Sequence, residues 1–171
     1  YSGGFGYWNS SSEAGGWIAA YATDFLVQAA AQGHEVPKDP LSRALGRLSA
    51  YVDQSVRNGR GYDTAAYALY VRARAGVADP ARVRRFGEAI IGAKGVSRLA
   101  AALTGAALAA VGDQDQARKV FERRQRSEPL VKRRWYATYG SPVRDAAAMI
   151  ALMAESKVVE WGDLEVAAKS L

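Results

Sequence analysis

The chain has 171 residues, of which 49% are apolar and 23% charged, a balance that suits one globular domain of ordinary size and excludes a disordered polymer. It contains no cysteine, which excludes disulfides, thiolate catalysis, cysteine-based zinc sites and a Cys–Gln thioester within these residues. The net charge is +6, and the longest apolar run, Leu99 to Val111, falls well short of the roughly 20 residues of a membrane-spanning helix.

The first notable stretch is Gly3-Gly4-Phe5-Gly6-Tyr7-Trp8, where glycines and large aromatics alternate ahead of Trp17 and an Ala-rich run to Leu26. It reads as a structured approach to a helix over 16–32. Further helices are expected over 40–57, 62–75, 80–93, 96–111, 114–127 and 142–155, with a short last one near 163–170. Asp39-Pro40, Asp79-Pro80 and Ser141-Pro142 read as starts, because a capping oxygen satisfies free amides and proline at the first helical position loses no hydrogen bond. Asp63 or Thr64 and Asp113 are further caps, Asp113 with Gln116 in a capping-box pattern. Gly33, Gly59, Gly76, Gly95 and Gly112 mark helix ends.

The odd helices are apolar round most of their circumference: Trp17, Ala20, Tyr21, Phe25 and Ala29; Ala66, Leu69, Tyr70 and Ala73; Leu99, Ala102, Leu103, Ala106 and Ala110; Ala146, Met149, Ile150 and Met153. The even ones carry narrower stripes, namely Leu41, Leu45, Leu48, Val52 and Val56, then Val83, Phe86 and Ile90, then Ala117, Val120 and Phe121. Wide apolar surfaces are packed on several sides and narrow ones face water, so odd helices form an inner layer and even helices an outer one. The odd helices end at Gly33, Gly76, Gly112 and Ser156, spacings of 43, 36 and 44 residues that describe a repeat of helical hairpins. β-Branched alternation never persists, so the fold class is all-α, either an α/α toroid or an open solenoid.

Candidate chemistry is sparse. His34 is the single histidine and sits in a loop without companion ligands. Eight cations, Arg118, Lys119, Arg123, Arg124, Arg126, Lys132, Arg133 and Arg134, face only Glu122 and Glu128 and form a basic stretch. It suits phosphate, an acidic surface or an acidic domain, or simply a solvated face; no nucleic-acid motif accompanies it, and no nucleic acid is expected as a partner. No DDxxD cluster is present, and the carboxylates, among them Glu13, Glu35 and Asp145, read as caps and surface groups. Asp24 is the exception, set between Tyr21 and Phe25 on an apolar helix, where a hydrogen bond to a neighbouring helix terminus is the expected role. No cofactor, metal or catalytic residue is indicated.

Three blocks carry a family resemblance: Gly3 to Leu26; Thr64-Ala-Ala-Tyr-Ala-Leu-Tyr-Val-Arg-Ala-Arg-Ala-Gly76; and Tyr139-Gly-Ser-Pro-Val-Arg-Asp-Ala-Ala. In this order they resemble the thioester-domain region of bacterial α2-macroglobulin-like proteins. The resemblance implies an α/α toroid of about six hairpins, of which the 171 residues as one domain supply about four, downstream of any Cys-x-Glu-Gln segment. It implies a non-catalytic module of an envelope-located, membrane-anchored protease trap. Its partners would be the other domains of a longer parent and, through the parent, target proteases; the cut toroid edge is expected to favour homo-oligomers. Tyr7, Trp8 and Trp17 become members of an aromatic wall near the thioester site, or else ordinary packing aromatics. One competitor remains, a tetratricopeptide-like scaffold binding a peptide or protein, because Ala109 to Phe121 with Pro129 resembles half of such a repeat.

Overall fold

The computed structural model describes residues 5, 15–124, 140–158 and 165. Among these there is no strand, and the helices are α1 (Gly16–Ala31), α2 (Lys38–Asn58), α3 (Tyr62–Arg74), α4 (Pro80–Gly92), α5 (Arg98–Ala110), α6 (Gln114–Arg124) and α7 (Pro142–Ser156). All of the expected final helix near 163–170 except residue 165, and the end of the expected 114–127 helix, lie outside the described residues.

Local chemistry accounts for most boundaries. Asp79 caps α4 by accepting the Ala81 amide at 3.0 Å, and Ser141 caps α7 by accepting the Arg144 amide at 3.1 Å, with proline next in both. Asp113 accepts the Gln116 amide at 3.3 Å, but the Gln116 carbonyl oxygen is buried without a hydrogen bond, so the reciprocal arm of the box is not made. All five expected end glycines have positive φ, from 61° to 87°. Two starts differ from expectation. α2 begins at Lys38 behind Pro37 with no side-chain cap, and Asp39 lies inside its first turn. α3 begins behind left-handed Gly61; Asp63, in the first turn, instead accepts the Ser97 hydroxyl, while Ser97 caps α5 through the Ala100 amide at 2.9 Å.

The helices form two layers. α3 packs on both α1 and α5, and α5 packs on α7, so α1, α3, α5 and α7 make the inner layer. α2 lies on α1 and α3, and α4 and α6 lie on α5 and on each other. The inner helices run parallel, since Gly16 lies against Thr64 at one end and Tyr70 reaches Glu155 towards the other.

α5 is buried from Leu99 to Leu108, and small side chains let its neighbours close in. A Cβ added to Gly105 would stand 2.9 Å from the ring of Phe121 on α6, and one added to Gly87 on α4 would stand 3.0 Å from Leu108. Phe86, Ile90, Leu48, Leu69 and Val52 fill the space between layers, and Tyr62 meets Phe86 edge-on at 6.4 Å. The buried hydroxyls of Thr23 and Thr104 bond carbonyls one turn back, at 2.7 and 2.8 Å. The amphipathic readings need four corrections: Tyr21 and Phe25 on α1 are 62% and 66% exposed, Ala110 at the end of α5 is exposed, and Val56 is half exposed while Ser55 is buried.

Gly105→Ala is therefore expected to destabilise the chain by about 1–3 kcal/mol through overpacking on Phe121. Gly46→Ala, at a helical position with nothing within 4 Å of the added Cβ, is expected to stabilise it by about 0.5–1 kcal/mol. Urea unfolding midpoints of the two variants check both signs.

Candidate functional site

Polar groups gather where α1, α3 and α7 meet. On α1, Asp24 and Gln28 are one turn apart, and on α3, Tyr67, Tyr70 and Arg74 share a face at helical spacing. The Tyr67 hydroxyl and the Gln28 side-chain amide both donate to Asp24 Oδ2 at 3.0 Å. Arg74 Nη1 lies 3.7 Å from Asp24 Oδ1 and its Nε lies 3.8 Å from Glu155 of α7, whose other oxygen accepts the Tyr70 hydroxyl at 2.9 Å. Arg74 also lies over the Tyr70 ring at 5.9 Å. Asp24 thus bonds side chains from the middle of α3 and from its own helix, where a helix terminus was expected.

Electrostatics follow from depth. Burial raises the affinity of Asp24 for a proton, and the hydrogen bond from Tyr67 and the charge of Arg74 oppose this only in part. Burial, then the neighbouring carboxylates, holds the Tyr67 and Tyr70 hydroxyls far above the ordinary tyrosine range, so both remain donors at any physiological pH.

Towards the N-terminal ends of the same helices stands an aromatic group. Trp17 is buried and packs on Tyr67 with ring centroids 4.8 Å apart, tilted by 47°. The guanidinium of Arg144 lies over the other part of this assembly, 5.5 Å from the Trp17 centroid, and is held by hydrogen bonds to Asp145. Asp145, expected at the surface, is buried.

Of the expected wall residues the structure places Trp17 in this cluster; Tyr7 and Trp8 lie outside the described residues. Arg118 and Lys119 are exposed on α6, only the helical backbone of Arg123 and Arg124 is described, and Arg126, Lys132, Arg133 and Arg134 lie outside the described residues. His34 is exposed in its loop. Tyr67, Arg74, Arg144 and Glu155 were not singled out from sequence, and Tyr70 was read only as apolar packing; the spacing of Tyr67, Tyr70 and Arg74 on one helical face was the available signal. Among the described residues no three His, Cys, Asp or Glu side chains come together to hold a metal, and no helix is long and apolar enough to cross a membrane.

No protein-family model matches the chain. It is 30% identical over 168 residues to α2-macroglobulin of Escherichia coli K12, an alignment covering 92% of this chain and 10% of that protein. Its fold superposes on Escherichia coli α2-macroglobulin activated by porcine elastase with a TM-score of 0.85 at 28% identity, covering 99% of this chain and 16% of the other. It also superposes on the native Escherichia coli protein spanning domain MG7 to the C-terminus, with a TM-score of 0.81 at 27% identity over 97% of this chain and 27% of that one. The architecture is the all-α domain of the thioester-domain region of α2-macroglobulins. The chain is homologous to bacterial α2-macroglobulin and spans about a tenth of the length of the relative it matches.

Because the native fold binds the Asp24 proton more tightly than the unfolded chain does, the contribution of Asp24 to stability falls as pH rises through the window from the ordinary carboxylate value to the raised one. Asp24→Asn is accordingly expected to gain stability relative to wild type as pH rises from about 4 towards neutral. Tyr67→Phe, which removes a donor to a buried carboxylate, is expected to cost about 1–3 kcal/mol at neutral pH. Urea titrations of the three proteins across that pH range read both effects.

Proposed function

We propose that the chain is a non-catalytic structural and interaction module of a protease-trapping α2-macroglobulin-like protein. The alignment over 92% of the chain, joined to the superposition on a structure described as activated by elastase, carries this reading. With no cysteine among 171 residues, the chain contributes no thioester sulfur; its part is to build walls and to hold them in place. Trp17, buried in contact with the Tyr67 ring and with the Arg144 guanidinium over its own ring, is suited to a dry wall. The alternation of inner and outer helices supports an arc of an α/α toroid, and the family resemblance of the sequence alone leads us to place the parent protein in the cell envelope. The tetratricopeptide-like stretch is accounted for by the α5–α6 hairpin: Asp113 caps α6 and Phe121 seats on Gly105.

Trapping differs physically from active-site blocking, since a caged protease still meets small substrates. Protein bearing this chain is to be incubated with trypsin or porcine elastase and assayed on casein and on a small peptide anilide. Loss of casein cleavage with retained anilide hydrolysis is expected; retention of both, or loss of both, overturns the reading. The exposed Tyr21 and Phe25 edge further leads us to expect self-association of the isolated chain. Sedimentation velocity over a wide concentration range checks it, a constant monomer mass being the contrary result.

A further inference from the structure

At the loop end of the first hairpin, opposite to the Trp17 end, the surface holds an open depression of about 400 Å³ lined by Lys38, Leu41, Ser42, Leu45, Gly46, Arg72 and Val77. Five of these follow one another at helical spacing down the first turns of α2, and Arg72 and Val77 close the far side from the end of α3 and the loop after it. The floor is aliphatic: Leu45 is buried, Leu41 half-buried and Val77 46% exposed on the rim. Both charged groups of the lining are cations, and no carboxylate is among the lining residues. The Arg72 guanidinium is fixed in place, donating to the Leu45 carbonyl and, at 2.9 Å, to the Val77 carbonyl. Lys38 is exposed at the mouth.

Gly46 sharpens this picture. A glycine inside a helix is a weak helix former, and here no neighbour within 4 Å requires the missing side chain. What the missing side chain does is leave the depression open. Small-molecule sites enclose most of their ligand, whereas this one is a dish, so a segment that brings its own covering surface fits it better.

We propose that this depression docks a protein segment in which a leucine-sized aliphatic side chain is followed by carboxylates: the side chain rests on Leu41, Leu45 and Val77, and the carboxylates face Lys38 and Arg72. Complementary charge fixes the register and the aliphatic contact supplies the anchor. The site lies away from the Trp17 group, so its loss and the loss of protease trapping are separate results.

The probe is a fluorescein-labelled peptide of one leucine followed by glutamates, titrated by the full 171-residue chain in fluorescence anisotropy, with the matching leucine–lysine peptide as control. Saturable binding of the acidic peptide alone is expected. Gly46→Leu, which fills the dish from an exposed helical position, and Lys38→Glu are each expected to weaken it about tenfold, with helical circular dichroism unchanged. Equal binding of both peptides, or binding indifferent to both folded variants, would overturn the assignment.

Discussion

The whole arrangement depends on how closely other helices can approach α5. Four helices pack on it, and a cylinder of ordinary side chains would hold some of them off. The sequence of α5 removes that obstacle with a run of alanines and Gly105, so that bulk is supplied from outside: the Phe121 ring comes in from α6, and Leu108 goes out into the space above Gly87. From Leu99 to Leu108 the helix is covered by the side chains of its neighbours. This is why the inner layer can be thin and the outer layer can hold the larger side chains Phe86, Leu48 and Ile90.

Against that apolar centre, the side of the inner layer shared by α1, α3 and α7 is polar. Asp24, Tyr67, Tyr70, Arg74 and Glu155 form a chain of contacts in which each charged group meets an opposite charge or a hydroxyl. Two of its links, from Arg74, are longer than hydrogen bonds, and Glu155 is half exposed, so the attraction there is screened and gives more to register than to stability. The tighter contacts, from Tyr67 and Gln28 to Asp24, lie deeper. α7 is thus joined to the body by packing on α5 and to α1 and α3 by polar and stacking contacts at its two ends, Arg144 on Trp17 and Glu155 on Tyr70.

Most of the fold was legible in the sequence because helix ends here are written in local chemistry. Proline after Asp79 or Ser141, and glycine where a positive φ closes a helix, act within a few residues and do not need the rest of the chain. Layer assignment was legible for α3 and for α5 from Leu99 to Leu108, and failed on one flank of α1, where Tyr21 and Phe25 stand exposed. Asp63 was misread as a cap because its partner, Ser97, is 34 residues away. The same limit hid most of the candidate site. Asp24 could be recognised as out of place on an apolar face, but its partner Tyr67 comes from 43 residues further on and the Tyr70–Glu155 pair spans 85, distances at which no local pattern speaks.

Parallel inner helices have an electrical side to them. Each helix carries partial positive charge at its first turn and partial negative charge at its last, and four aligned in one direction add where antiparallel neighbours would cancel. The end that holds Trp17 is therefore the positive pole of the inner layer, and Asp63 and Asp145 sit in first turns there as counter-charges. At the opposite pole α3 finishes with Arg72 and Arg74. The inner layer is thus polarised along its helices, and the outer helices α2, α4 and α6, which return in the opposite direction, offset part of that polarity.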